Sequence, residues 1–193
     1  MATILREADV NSGSLYHFFP TKESLLIGVL ERYQRLLRPI VMDPVEKVTD
    51  DPIGRVFVLL DWYRSGMLRA QCKLGCPIGN LALELADNHP DVRRLADANF
   101  IGWTEAVKQW LIDAGDRLPS HINRGELAQM VLNTMEGGIM QSRARGEVAP
   151  FDAAVRQLRH YFDYLERDAK GAPPDATRQP KRSNRSRRSR RRT

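Results

Sequence analysis

The sequence predicts an all-α protein, and three observations carry that prediction. Apolar residues recur at spacings of three and four along most of the 193-residue chain, the period of helices that bury one face. Nowhere is there the sustained strict alternation that marks a half-buried strand. Proline, asparagine and glycine fall at the joints between periodic stretches, where they start and stop helices.

Each element follows in order. Ile4, Leu5 and Ala8 make a first short apolar helix, and Val10 plugs the tight turn after it. Asn11 can cap a second short helix that runs through Phe18, with Leu15 and Phe18 facing inward. Pro20 and Thr21 break that helix. Thr21, with Glu23 and Ser24 close behind, opens a long one to about residue 37, which Pro39 and Pro44 bring to an end. Pro52, after Asp50 and Asp51, suits the first turn of a helix over about 53–71. The strand-like run at 56–60 continues without a turn signal and is read as part of it. A short apolar helix covers about 78–86. Asn88, His89 and Pro90 stop it and start another over about 90–114, which Gly115 and Pro119 close.

The last two helices, about 124–145 and 150–167, are the most periodic. Phe151, Val155, Leu158, Phe162 and Leu165 fall on one face of the second. Leu127, Met130, Val131, Met135, Gly138, Ile139 and Ser142 share a face of the first. Glycine weakens a helix, so Gly137 and Gly138 need a reason, and close approach of another helix is one. Joined by a short turn, the two make a hairpin. Against a symmetry mate they would form a four-helix bundle, with Leu127, Met130, Val131, Met135, Gly138, Ile139, Phe151, Val155, Leu158 and Phe162 at the dimer interface. The alternative is that both faces pack into this chain's own core.

Charge divides the chain unevenly. Lys and Arg number 30 against 24 Asp and Glu, a net of +6. Nine of the basic residues lie in 178–193, with no acidic one among them, so the rest of the chain carries 21 against 24, a net of −3. The basic character belongs to the tail. Residues 169–193, rich in Pro, Ser and Arg and without an aliphatic anchor, are expected to be disordered. Nine positive charges would bind any polyanion, and a solvated extension with no role is the bland alternative.

Composition excludes several classes. Hydrophobic residues make up 42% of the chain, enough for a core. No apolar run approaches the roughly 18 residues of a membrane-spanning helix, and the charged N-terminus does not read as a signal peptide. Two cysteines make no disulfide framework. A soluble cytoplasmic protein with reduced thiols and no membrane partner is the expectation. No phosphate-cradling glycine loop, nucleophile elbow or zinc-helix motif argues for an enzyme, and no cofactor or metal is implied.

The segment 3–33, TILREADVNSGSLYHFFPTKESLLIGVLERY, is the informative one. It reads as helix, tight turn, helix, with Ser12, Gly13, Ser14, Tyr16 and His17 left pointing outward. Small polar residues and an aromatic on the exposed face of a short second helix suit a major groove, and hydroxyls with Lys22 can bond phosphates. The segment strongly resembles the DNA-binding motif of TetR-family transcriptional repressors. The turn ADV leads into SGSLYHFF, then a proline step, then KE and the leucine-rich SLLIGVL. Residues 75–92, GCPIGNLALELADNHPDV, resemble a ligand-domain signature of one branch of that family. The resemblance covers roughly residues 3–167.

It implies a helix-turn-helix head over 1–38 and a helical effector-binding and dimerisation domain over 39–168. It also implies DNA contacts from Ser12, Gly13, Ser14, Tyr16 and His17, with Tyr16, Thr21 and Lys22 towards the phosphates. Two departures stand out. Asp9 occupies the turn position that usually holds glycine. Members of the family also carry a whole helix before this point, where only Met1 and Ala2 precede Thr3. Without that support Ile4, Leu5, Leu15 and Phe18 would meet water.

In the body, Trp62, Tyr63, Met67, Phe100, Trp103 and Met135 could line a cavity for a hydrophobic or aromatic effector; ordinary core packing is the alternative. Cys72 and Cys76 are four apart, but Gly75 and Pro77 break helical spacing and the scattered histidines offer no metal partners. Some relatives with a similar segment sense electrophiles through a cysteine further along, and Ala86 occupies that position here. Buried structural thiols are the simpler reading of both.

The expected function is therefore a ligand-responsive repressor, a homodimer on a palindromic double-stranded DNA operator, released by a small hydrophobic molecule. A dimerisation partner that does not hold DNA on its own is the second reading.

Overall fold

The computed structural model describes residues 2–171, and they form helices joined by short turns, with no strand among them. The expectation of a disordered basic tail falls mostly on residues outside the described ones.

Helix α1 (Ala2–Ala8) turns into α2 (Ser12–Phe18), then α3 (Lys22–Leu36). The turn after α1 is closed by Val10 N–H donating to the Leu5 carbonyl at 3.1 Å. Asp9 there sits at φ 51°, the left-handed region that aspartate tolerates better than most residues. Asn11 caps α2, its side-chain oxygen accepting from Ser14 N–H at 2.7 Å. Thr21 and Ser24 cap α3 reciprocally, each side-chain oxygen accepting from the other's backbone N–H at 3.0 Å.

The inward aromatic of this head is Phe19. Phe18, expected to face inward, is 72% exposed. The chain leaves α2 at Phe19, whose φ of −132° redirects its side chain. Its ring lies over Gly28 of α3, so close that a Cβ there would stand 2.7 Å from the ring edge. Helices α1 and α2 contribute no buried residue, and Ile4 and Val10 are exposed.

Pro39 and Pro44 do not end the helical region. After α3 the chain continues as a π turn, Leu37–Met42, and then α4 (Asp43–Val48). Proline cannot donate and its ring crowds the preceding turn, and widening the helix accommodates both. Asp43 N–H accordingly reaches back five residues to the Arg38 carbonyl. Pro44 falls in the first turn of α4, where no donor is needed. Glu46 braces the joint: it accepts from Trp110 Nε1 at 3.0 Å and from Arg38 Nη2 at 2.7 Å.

The body follows as α5 (Pro52–Arg69), α6 (Pro77–Leu85), α7 (Pro90–Asp113), α8 (Arg124–Arg145) and α9 (Ala149–Ala169). Helix α7 is central, packed against α3, α5, α6 and α8. One apolar core joins α4, α5, α7, α8 and α9; a smaller one joins α3, α6 and α7 around Leu30, Ile78 and Val92.

The α8–α9 hairpin is present, and it resolves the two alternatives for its apolar faces. Leu127, Val131, Met135, Gly138, Ile139, Phe151, Leu158 and Phe162 are buried inside this single chain. Val155 packs partly buried on the same core. Side chains so enclosed have no surface to give a second copy, so these positions are core, not dimer interface. The close approach at Gly138 is to Phe151 of the same chain, and buried Ser142 Oγ accepts from Phe151 N–H at 3.2 Å. Of the expected interface, Met130 alone faces out, 41% exposed.

Candidate nucleic-acid interface and ligand cavities

Ser12, Gly13, Ser14, Tyr16, His17, Thr21 and Lys22 are all exposed on the head. Six of them lie on α2 and the first turn of α3; Thr21 is the cap between the two. The His17 ring packs edge-on against Phe18, with centroids 5.0 Å apart. Thr21 Oγ1 is engaged as an acceptor, which leaves its hydroxyl hydrogen available to donate.

The head is tied to the body through α3. Asn99 Nδ2 of α7 donates to the Leu30 carbonyl at 3.1 Å, a buried bond. His89 Nδ1, just before α7, lies 3.0 Å from Glu23 Oε1.

Among the cavities of the body, two adjoin α7. The smaller, about 220 Å³, is walled by Tyr33 and Leu36 of α3, Leu37 and Ile40 of the π turn, and Asn99 and Trp103 of α7, among others. Trp62 and Tyr63 also line it, with Tyr63 edge-to-face on Trp103 at 5.9 Å. The larger, about 470 Å³, lies between α6, α7 and α8 and includes Phe100. Four of the six expected effector residues thus meet a cavity. Met67 and Met135 do not: both are buried in the main core, which their faces of α5 and α8 fill.

Cys76 lines both cavities. Burial, then the neighbouring Glu136 carboxylate, push its thiol up to about 12. It is therefore a neutral thiol near pH 7, a poor nucleophile, which agrees with a structural role. Cys72 is buried in the main core. Burial, with Cys76 and Glu136 nearby, likewise holds the Tyr63 phenol above its ordinary value.

Sequence reasoning missed Glu136 and Asn99. Glu136 Oε1 and Trp103 Nε1 are buried and have no hydrogen-bond partner among the described residues. Glu136 sits beside the apolar stripe of α8 and reads as a solvated flank. Gly79, where a Cβ would stand 2.9 Å from Glu136 Oε2, was the available signal of a crowded site.

A short helix-turn-helix head carried on the helical wall of a cavity defines the class: a DNA-binding transcriptional regulator. Residues 1–29 match the family model described as bacterial regulatory proteins, tetR family. Residues 52–157 match the one described as transcriptional regulator LmrA/YxaF-like, C-terminal domain. The chain belongs to the TetR family of transcriptional regulators. It is 28% identical over 166 residues to an HTH-type transcriptional regulator of Mycobacterium tuberculosis strain H37Rv, covering 83% of this chain and 81% of that one. It is 24% identical over 156 residues to HTH-type transcriptional regulator YxaF of Bacillus subtilis, covering 80% of each. Its fold matches the crystal structure of regulatory protein TetR from Rhodobacter sphaeroides with a TM-score of 0.72 and 24% identity, over 81% of this chain and 84% of that one. Among the described residues no helix is long and apolar enough to cross a membrane.

Proposed function

We propose that this regulator is a ligand-responsive repressor that binds a palindromic operator as a homodimer. Residues 1–38 form the DNA-reading head and 39–168 the effector and dimerisation body. One observation carries the reading: the smaller cavity is walled by Tyr33, Leu36 and Leu37, on the helix and joint that hold the head. A ligand that prefers one arrangement of that wall shifts the head's position, and affinity for DNA falls by the same coupling energy.

In this reading α2 lies in the major groove. Ser12, Gly13, Ser14, Tyr16 and His17 face the bases and the neighbouring backbone, and Thr21 and Lys22 take phosphates. The dimer uses the outer faces of α8 and α9. On α8, Met130, Gly137 and Ala144 recur every seven residues, and a Cβ on Gly137 would meet nothing within 4 Å. On α9, Ala153, Gln157, His160 and Tyr164 are exposed at helical spacing. Asn133, Gly137 and Met140 of the outer α8 face also wall the larger cavity, so a second copy seated there would border it.

The test is a titration on an operator selected from random duplexes by the protein itself. Tyr16→Ala and Lys22→Ala each weaken binding. Lys22→Ala does so nearly uniformly across sequences and lowers the log–log salt slope by about one unit. Unchanged affinity in both variants means α2 is not the recognition helix. A second reading, a dimerisation partner that does not hold DNA alone, is favoured by the absence of buried side chains on α1 and α2. A chain that dimerises and shows no operator selection at all is the result that would establish it.

A further inference from the structure

The larger cavity has an apolar wall that includes Leu83, Phe100, Ile101, Leu132 and Ile139. One half-buried carboxylate, that of Glu136, interrupts it. Glu136 Oε1 has no contact with water and no hydrogen-bond partner among the described residues. The Cys76 thiol lies against this carboxylate, but burying a polar group unmet is costly, and a charged one more so, which favours a cation brought beside it.

The surroundings select the kind of donor. The other carboxylate oxygen rests on the first turn of α6, where a Cβ at Gly79 would stand 2.9 Å from Oε2. Only glycine admits the carboxylate so close, and the positive end of a helix favours an anion there. The remaining charged side chains on the wall are Asp97 and Arg143. Arg143 is exposed, and its Nη1 is taken by Asn80 Oδ1 at 2.9 Å. The wall therefore offers two carboxylates against one guanidinium. Burial raises the Glu136 carboxyl above its ordinary value, which a nearby cation would reverse.

We propose that this cavity binds a lipophilic amine, whose protonated nitrogen pairs with the Glu136 carboxylate while its apolar body lies against Phe100 and the aliphatic wall. An ammonium beside an aromatic ring gains further attraction. A carboxylate ligand would add a third anion beside Glu136 and Asp97. The proposal deepens the ligand-responsive reading and rests on it for its regulatory meaning; binding itself can be measured without DNA.

Three probes share one ring system: 2-naphthylmethylamine, 2-naphthylmethanol and 2-naphthoate. Each is titrated calorimetrically into the full chain near neutral pH. The amine is expected to bind at least about tenfold more tightly than the alcohol, and naphthoate not to bind. Glu136→Gln lowers amine affinity at least about tenfold and leaves alcohol affinity within about threefold. A melt of unliganded Glu136→Gln checks its fold; the wild-type ranking of the three probes stands as a test even without the variant. Naphthoate binding as tightly as the amine, an unchanged amine affinity in folded Glu136→Gln, or binding by none of the probes overturns the proposal. Operator affinity separates the two readings. An amine that binds through Glu136 but leaves operator affinity unchanged upholds this site and sinks the ligand-responsive reading. Operator release by the neutral or acidic probe alone upholds that reading and sinks this site.

Discussion

The buried side-chain amide of Asn99 donates to the Leu30 carbonyl at 3.1 Å, joining α7 to the helix that carries the head. The same amide donates to the Leu95 carbonyl of its own helix at 2.8 Å, and the residue also lines the smaller cavity. Asn99→Ala removes the one side-chain hydrogen bond by which α7 holds α3 among the described residues and should lower stability by about 1–2 kcal/mol. For a chain of this size that is a fall of a few degrees in melting temperature. A melt identical to wild type would mean that apolar packing around Leu30 docks the head unaided.

Gly138 and Gly137 are neighbours with opposite surroundings. A Cβ at Gly138 would stand 2.8 Å from the Phe151 ring and 3.2 Å from its Cα. The backbone atom cannot swing aside, so Gly138→Ala should cost about 1–3 kcal/mol in denaturant unfolding. At Gly137 the space is open. Gly137→Ala should be neutral or stabilise by up to about 1 kcal/mol through helix propensity. Equal effects at the two positions would contradict the close α8–α9 contact.

Arg64 of α5 grips Asp152 of α9 at both carboxylate oxygens, Nε to Oδ1 at 2.7 Å and Nη2 to Oδ2 at 3.0 Å. Hydrogen bonding to that guanidinium holds the Asp152 carboxyl below its ordinary 3.8. A depressed carboxyl stabilises the fold above its unfolded value, and the contribution disappears as pH falls through the folded one. The stability gap between wild type and Asp152→Asn is thus widest near neutral pH and closes in acid below 3.8. The pair is partly exposed, so the gap is small. Urea titrations across that range check it, and a gap that widens in acid reverses the sign.

The outer α8 face is tested at Met130, which is half-exposed and makes no contribution to the buried core. Met130→Glu should weaken self-association by about tenfold or more in sedimentation velocity, since a charge at the centre of an apolar contact is left unpaired. Its melt as a monomer should match wild type. An unchanged association constant would place the dimer on another surface.

Local signals in the sequence were legible wherever a cap or a proline acted on its own neighbours. Asn11, Thr21, Pro52 and Pro90 each start a helix where their side chains or rings require it. Pro39 misled because a π turn and an interrupted helix present the same residues, and the difference lies in which carbonyl Asp43 reaches. Apolar periodicity on α8 identified a buried face but carried no information on what buries it. The partner was Phe151 of the same chain. Glu136 was invisible for a related reason. Its burial comes from Gly79, distant in sequence, whose missing side chain lets α6 close over it. Of the cavity residues, the aromatic ones were legible by type, since they are where helices fail to close perfectly; the two methionines fill the core instead.

The π turn at Leu37–Met42 makes the bearing of the head a matter of residue count. Such a turn holds one residue more than its α counterpart. Removing one residue from it would restore α register and rotate everything before it by about 100° around the helix axis, with a rise of about 1.5 Å. Tyr16 and His17 would then look in a new direction while the body, its cavities and its cores stayed as they are. A one-residue insertion or deletion at this joint therefore acts as a change of aim, where the same event in the loop before α8 would only shift α8 against α7.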